Sequence, residues 1–382
     1  MTKSNVCHLT SVHAYNDTRI FHKECVSLAQ AGYDVTLLAP VDTSFEEKGV
    51  KVLPVGAWGS RYYRFFFVIP RLLIKALKVQ ASLYHFHDPE LLLIVPFLRL
   101  SGAKVIYDIH EDYVTSIQQK SYIPAFFRNL FAAVFGFVEK VASSLCDRVI
   151  AEKYYRERFP DAIEILNYPL SKQLNEGVQY DSRPDYEEAF DARYQWFLYT
   201  GNVTIDRGAL LHLELLTARK DTAIAYIGKC SDELADAILA SADRKQISRE
   251  RVRIIGAGTY VPRETIDYYT YTQHWLAGVA IFPETHHYTR KELTKFFEYM
   301  AAGLPILCSD FPVWKNIVEN NNCGLTVNSA EQQSLVSAIE YLLTHPENAI
   351  KMGDNGRQAV SMEYNWGVEE IKLLKLYHRV ID

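Results

Sequence analysis

The feature that most constrains this chain is a rhythm: short apolar runs alternate with longer stretches of helical periodicity, and the alternation occurs twice. In the first half the runs are Val6 to Leu9, Val35 to Ala39, Lys51 to Leu53, Ser82 to His85, Lys104 to Asp108 and Arg148 to Ala151. The segments between them are long enough for crossover helices, which predicts parallel strands covered on both faces. In the second half the runs are Phe197 to Thr200, Ala223 to Ile227, Val252 to Ile254, Val279 to Phe282, Pro305 to Cys308 and Gly324 to Val327. Between the halves, 171–194 carries Gly, Pro and several acids with few sustained apolar positions, and reads as a linker region. The expected α/β organisation is a first doubly wound domain over 1–170, a second over 195–365, and a terminal helix over 366–382 placed to pack back on the first.

Composition agrees with two domains of this kind. A chain of 382 residues, 48% apolar and 23% charged, can bury full cores, so disorder and fibrous repeats are excluded. The formal charge of -5 supplies no general attraction for nucleic acid. Cys7, Cys25, Cys146, Cys230, Cys308 and Cys323 show no CxxC or metal-ligand spacing, which favours free thiols in a reducing, cytoplasmic setting. The start lacks signal-peptide character and no apolar run reaches the ~18 residues of a spanning helix, leaving attachment to the face of a membrane open.

Open parallel sheets bind ligands beyond the C-terminal ends of their strands, so the loops after the first strand of each half are the first places to look. After Leu9 the chain reads Thr10-Ser11-Val12-His13-Ala14-Tyr15-Asn16-Asp17, without the glycines of a dinucleotide fingerprint. After Phe197 it reads Tyr199-Thr200-Gly201-Asn202-Val203-Thr204-Ile205-Asp206-Arg207-Gly208, a glycine-bearing turn of the sort that offers backbone N–H groups to an anion.

The block Phe296-Phe297-Glu298-Tyr299-Met300-Ala301-Ala302-Gly303-Leu304-Pro305-Ile306 resembles the donor-site signature of GT-B glycosyltransferases, specifically glycosyltransferase family 4. The N-terminal block from His8 to His13, continuing through Asp17-Thr18-Arg19-Ile20-Phe21 and Lys23-Glu24-Cys25, resembles a bacterial surface-polysaccharide subgroup of that family. His87-Asp88-Pro89-Glu90 and Tyr107-Asp108-Ile109-His110-Glu111-Asp112 extend the resemblance over nearly the whole chain. It implies a GT-B architecture: two Rossmann-like domains facing a central cleft, a nucleotide-sugar donor held mainly by the C-terminal domain and an acceptor mainly by the N-terminal one. It also implies a retaining reaction, no metal and no separate cofactor; the nucleotide sugar, a UDP-sugar first and GDP-mannose second, is a substrate.

On the donor side the resemblance assigns Glu298 to the ribose hydroxyls, at an expected helix start, and also places it among the catalytic residues. Gly201, Arg207 and Lys295 are assigned to the diphosphate. The family often has a second Glu eight positions before Glu298; here Arg290 stands there, near a donor phosphate or on the surface, and Asn202 replaces a customary Arg. His286 and His287 fall in the loop beside the donor sugar. On the acceptor side, His110 corresponds to a histidine beside donor sugar and acceptor, with a role in orienting the attacking hydroxyl. His13, Asp17 and Arg19 follow the first strand; Arg19 and Lys23, four apart, share a helix face. Asp88 and Glu90 flank Pro89, where sugar binding and helix capping are equally expected.

The implied function is transfer of a sugar to a lipid-linked or polysaccharide acceptor in bacterial surface-glycan synthesis. Two alternatives remain: a nonhydrolysing nucleotide-sugar epimerase, which shares the architecture, and a noncatalytic sugar-binding or assembly protein. Tyr, Phe and Trp make up 13% of the chain. Much of that excess is expected in the cores, but Arg61 to Lys78 combines Arg61, Arg64, Arg71, Lys75 and Lys78 with Phe65 to Phe67, and Phe126 to Val138 is a second aromatic stretch. Together they suggest a face for an anionic membrane, at the inner side of the cytoplasmic membrane; two helices covering the sheet would give the same pattern.

Overall fold

The computed structural model describes residues 4–56, 61–110, 112–119, 124–170, 190–285 and 287–381. They fall into two compact units, one of Met1–Asn167 with Trp366–Asp382, the other of Tyr168–Asn365. The last helix, Trp366–Ile381, belongs to the first unit. Its Trp366 indole donates to Ser27 Oγ (2.9 Å), and its buried Glu369 carboxylate accepts the Leu166 N–H (2.8 Å).

The first unit holds an eight-stranded sheet in the order β3-β4-β2-β1-β5-β6-β7-β8. The strands are β1 Asn5–Leu9, β2 Asp34–Ala39, β3 Phe45–Glu47, β4 Val50–Pro54, β5 Leu83–Phe86, β6 Lys104–Ile109, β7 Asp147–Ile150 and β8 Ile163–Glu164. Every pairing is parallel except β3 with β4. Those two form a hairpin, turned by Lys48 (φ 49°) and Gly49 (φ 80°), both left-handed as a two-residue hairpin turn requires. The edge strands β3 and β8 have no apolar run to announce them, because none of their residues is buried.

The second unit holds six parallel strands in the order β11-β10-β9-β12-β13-β14. They are β9 Gln195–Thr200, β10 Thr222–Cys230, β11 Val252–Ala257, β12 Ala277–Ala280, β13 Ile306–Ser309 and β14 Gly324–Val327. Of the expected linker, 171–189 lies outside the described residues. Phe190 packs edge-on against Trp196 and Trp275, so 190–194 is part of this unit rather than a linker.

In each sheet the strand order reverses direction once, between β1 and β5 and between β9 and β12. Adjacent crossovers there leave toward opposite faces, which opens a crevice at the strand C-termini. The residues bordering those two crevices are the ones singled out below. Much of the aromatic excess goes into the cores: Trp314 is fully buried among Phe282, Phe296 and Phe311, its indole N–H donating to the Lys291 carbonyl at 2.7 Å.

Candidate active site

In the second unit, β9 ends in a turn at Gly201, whose φ of 88° is left-handed. Its N–H donates to Ile227 O (2.9 Å), and the Val203 N–H to Lys229 O (2.9 Å). Gly201 therefore contributes a turn, and its amide is not an open donor for an anion. No long helix follows it either, only the short Ile205–Arg207 and Leu213–Ala218. Gly208 is dictated by sterics: φ is 79°, and a Cβ there would lie 1.8 Å from the Ile281 carbonyl oxygen. The turn so formed sets Arg207, half-buried, beside Tyr199 and Tyr288. Burial opposes the Arg207 charge, but these rings and Asp206 hold its pKa up. Asp206 in turn accepts from the Tyr288 hydroxyl at 2.5 Å.

Lys295 reaches the same rings from the helix Thr294–Ala302. Its ammonium is buried, donates to Thr200 O (3.0 Å) and sits 3.5 Å from the centroid of Tyr199. Burial, and then the neighbouring Arg207 charge, drives its pKa well below the ordinary lysine value, with Glu298 opposing. Cation–π contact offsets part of that cost, since the ring face is electron-rich. Arg207 thus lies near the ring that the Lys295 ammonium covers, and no carboxylate lies within ion-pair distance of Lys295 among the described residues. That is the arrangement an incoming dianion would relieve.

Glu298 is the fifth residue of its helix, not the start, because the chain is still extended at Leu293. One carboxylate oxygen accepts from Arg263 Nη1 at 2.5 Å, while Arg263 Nε bonds Asp267 at 2.8 Å. The side chain retains 24% exposure, so it is oriented and still reachable. Gly303 ends the helix at φ 70° and turns the chain toward β13. Arg290 and His287 are half-buried in the preceding loop; His286, like Glu111 of the acceptor-side block, lies outside the described residues. His212, not anticipated from sequence, is fully buried against Tyr199 and accepts the Ile281 N–H at 3.2 Å. Burial, then Lys295, pushes its pKa down to about 3.

In the first unit the ends of β1, β5 and β6 gather a polar cluster. His13 and His110 meet through their Nε2 atoms at 3.1 Å, and His13 Nε2 lies 3.3 Å from Asp88. Asp88 does not cap the helix that follows it. Its Oδ2 accepts from the Ser11 N–H (2.5 Å) and the Thr10 hydroxyl (3.0 Å), so it ties the β1 loop to the end of β5. Glu90 accepts from the Ser11 hydroxyl (3.2 Å) and pairs with Arg64 (3.0 Å). Asp17 does cap a helix, accepting from the Arg19 and Ile20 N–H groups at 2.8 and 3.0 Å.

Arg19 departs from its expected role. It is buried and turned inward, donating to both oxygens of Asp108 at 2.8 and 2.7 Å. Burial alone would raise the Asp108 pKa; Arg19, with bonds from His110 and His87, holds it well below the usual carboxylate range. The ionised Asp108 faces His110 Nδ1 at 3.4 Å and raises the His110 pKa against the effect of burial. Lys23, on the same helix face, is buried too and donates to Asn167 at 2.6 Å.

Behind Asp108 lies a chain of buried groups. His87 Nδ1 is 3.1 Å from Asp108, His87 Nε2 3.0 Å from His8 Nδ1, His8 Nε2 2.9 Å from the Tyr377 hydroxyl, and that hydroxyl 2.8 Å from His85 Nδ1. The ionised carboxylate assigns every tautomer: His87 Nδ1–H donates to Asp108, His8 Nδ1–H to His87, Tyr377 O–H to His8, and His85 Nδ1–H to Tyr377. His85 Nε2 is then the acceptor left over, and it is one of the buried atoms without a partner. His8, His85, His87 and Glu24 are close enough together to suggest a metal site. However, the His8 and His87 centroids lie 5.3 Å apart across a 3.0 Å nitrogen contact, which places the rings end to end as hydrogen-bonded partners rather than converging on a common ion.

The chain is similar to known proteins. The description "Glycosyltransferase Family 4" matches residues 19–153, and "Glycosyl transferases group 1" matches residues 294–359. A GDP-mannose-dependent alpha-(1-6)-phosphatidylinositol monomannoside mannosyltransferase of Mycobacterium tuberculosis is 30% identical over 78 residues, 20% of either chain. The match therefore spans about a fifth of the length of that curated relative. Sucrose-phosphate synthase from Thermosynechococcus elongatus superposes with a TM-score of 0.75 at 16% identity over 99% of both chains. A glycosyltransferase from Rickettsia africae gives 0.71 at 12% identity over 100% of both. The chain has the GT-B fold, and its residues 19–153 are similar to the family 4 glycosyltransferases. The Anabaena protein HepE, solved with UDP-glucose, has the same fold (TM-score 0.71, 8% identity, covering 98% of this chain and 99% of that one).

Within this GT-B protein, the structure brings Arg207, Lys295 and Glu298 into one neighbourhood of the second unit, and His13, Asp88, Glu90 and His110 into one of the first. Sequence reasoning missed the Asp108–His87–His8–Tyr377 chain. A partial signal was there: His85 and His87 share a sheet face by the two-residue period, but only the β1–β5 register, which sets His8 opposite His85, and the return of the last helix complete it.

Proposed function

We propose that this chain is a retaining glycosyltransferase, moving a sugar from a nucleotide donor to a lipid-linked or polysaccharide acceptor in bacterial surface-glycan synthesis, at the cytoplasmic face of the membrane. The observation that carries the donor side is the Lys295 ammonium, buried on the Tyr199 ring with no carboxylate within ion-pair distance among the described residues, and with the Arg207 guanidinium nearby. A nucleoside diphosphate supplies the missing charge, and Glu298, oriented by Arg263, presents its carboxylate to the ribose hydroxyls. A UDP-sugar is the first donor class to test, since HepE is solved with UDP-glucose; GDP-mannose is the second, on the name of the mycobacterial relative.

His110, held by Asp108, and His13, held by Asp88, supply the acceptor side. In the proposed reaction the acceptor oxygen forms a bond to the anomeric carbon on the face from which the diphosphate departs. The sugar–phosphate bond breaks with its electron pair going to the phosphate oxygen, which receives the proton of the acceptor hydroxyl. Arg207 and Lys295 stabilise the charge that develops there. Arg290 and His287 belong to the same side of the reaction as loop residues before the Lys295 helix.

Calorimetric titration of UDP and GDP into the full chain tests the donor site. Removing one partner of a desolvated charge pair costs about 2–4 kcal/mol, so Arg207→Ala and Lys295→Met should each weaken binding roughly 30- to 1000-fold. Affinities within about twofold of the unsubstituted chain would sink the assignment of those residues.

A further inference from the structure

The first unit carries a surface that neither sheet nor sugar chemistry requires. The helical run Arg61–Tyr63, Arg64–Val68 and Ile69–Val79 leaves Tyr62, Phe65, Phe66, Phe67 and Ile74 exposed. The helix Ala125–Ser143 does the same with Phe126, Phe131, Val134, Phe137 and Val141; Phe126 and Phe137 are 75% and 70% exposed. The turn Pro89–Ile94 packs against both helices and continues into Val95–Leu100, where Phe97 and Leu100 are also exposed. Soluble monomers rarely show a contiguous apolar patch larger than a few hundred Å², and three adjoining elements here each contribute large side chains. No described helix is long and apolar enough to cross a membrane.

Beside the aromatic run lies an open groove of about 680 Å³, lined by Phe66, Phe67, Ile74, Arg71, Lys75 and Lys78. Among the described residues Asp42 is the one acid in its lining. The cations are set in place. Gly56 has φ 124°, a conformation that favours glycine, and the Arg71 guanidinium lies against it at the end of β4. Lys75 donates to the Pro54 carbonyl from the same side. Arg64 is neutralised by Glu90, but Arg71, Lys75 and Lys78 have no ion-pair partner among the described residues. Three unpaired cations bordered by exposed aromatic rings complement a surface that is anionic at its boundary and apolar beneath.

We infer that Arg71, Lys75 and Lys78 form a phosphate-headgroup site for anionic phospholipid, and that the exposed faces of Arg64–Val68, Ile69–Val79 and Ala125–Ser143 rest in the acyl boundary of that leaflet. The occupant is a lipid surface, not a single soluble phosphate: the groove is open, and the apolar face beside it exceeds what one headgroup covers. The same helix reaches the acceptor-side cluster, since Arg64 pairs with Glu90 and Glu90 bonds Ser11, which donates to Asp88. Docking thus fixes the element that borders the candidate acceptor residues. The inference concerns the face itself and stands independently of which sugar is transferred.

Flotation of the full chain with phosphatidylcholine vesicles, with and without phosphatidylglycerol, tests it, because the readout needs no activity. The chain should float with anionic vesicles and much less with neutral ones. Lys75→Ala with Lys78→Ala should weaken anionic-vesicle binding roughly thirtyfold, and Phe126→Asp with Phe137→Asp, both exposed, should abolish flotation while circular dichroism stays unchanged. Absence of flotation, or flotation indifferent to phosphatidylglycerol and to the lysine substitutions, would overturn the proposal. So would a dimer in solution that Phe126→Asp with Phe137→Asp converts to monomer, because a second copy would then be the occupant.

Discussion

Arg19 offers the sharpest contrast between a residue that binds ligand and one that holds the fold. Its side chain is 4% exposed and makes two bonds to a fully buried Asp108, with Glu24 3.2 Å from the same Nε that donates to Asp108. Arg19→Met leaves the Asp108 charge buried without its principal partner. Breaking a buried pair in this way costs about 3–5 kcal/mol, which for a unit of this size lowers Tm by roughly 6–20 °C. Asp108→Asn alone should also destabilise, by stranding Arg19. The double variant should lose less than the sum of the two, by about 1–3 kcal/mol, because the second substitution removes the charge the first one stranded. Thermal unfolding followed by circular dichroism, at neutral pH, reads all four corners of the cycle. The sign with pH follows from the depressed Asp108 pKa: the pair's contribution is present above the unfolded carboxylate value and is lost as pH falls through the folded one. Additive losses within about 0.5 kcal/mol, or an unchanged Tm with a weakened acceptor KM, would refute this account and return Arg19 to the acceptor site.

Three further outcomes follow from the same geometry. Lys295→Met should raise the Tm of the unliganded chain, because the folded lysine pKa is depressed and folding is penalised at any pH below the unfolded value of about 10.4; a lower Tm would show that the ammonium is already compensated. Glu298→Ala should reduce donor affinity or turnover roughly 10- to 150-fold, the worth of a hydrogen bond to a charged group, whereas unchanged kinetics would remove Glu298 from the site. NMR titration of His110 should give a pKa above the ordinary 6.5, falling in Asp108→Asn; its stabilisation by Asp108 is complete below the unfolded value and is lost as pH rises through the folded one, so a pKa indifferent to Asp108→Asn would break that link.

Most of the strands were legible because parallel strands are buried on both faces and read as apolar runs. The edge strands β3 and β8 were not, since neither holds a buried residue and they carry Glu46, Glu47 and Glu164. Lys295 and Glu298 are singled out by a motif, and Arg207 by the resemblance that expects a positive charge before the later glycine, Gly208. What a linear sequence could not show was orientation. Arg19 and Lys23 share a helix face as their spacing predicts, but that face turns into the protein, where Asp108 and Asn167 wait from distant parts of the chain. Asp88 and Glu90 were placed correctly at a strand end, yet whether the Asp88 carboxylate caps its own helix or crosses to Thr10 and Ser11 depends on the neighbouring β1 loop. The aromatic excess divides the same way, with Trp314 in a core and Phe126 facing out.

The central claim is that the cations of the second unit receive a nucleoside diphosphate as its sugar leaves for an acceptor. Mass spectrometry of the full chain with a nucleotide-sugar donor and a lipid-linked acceptor, counting released diphosphate and glycosylated acceptor together, addresses it most directly. The account predicts the two in equal amounts, both dependent on acceptor and both lost in Arg207→Ala. An interconverted nucleotide sugar without released diphosphate, or no glycosylated acceptor across a broad panel despite donor binding, would contradict it.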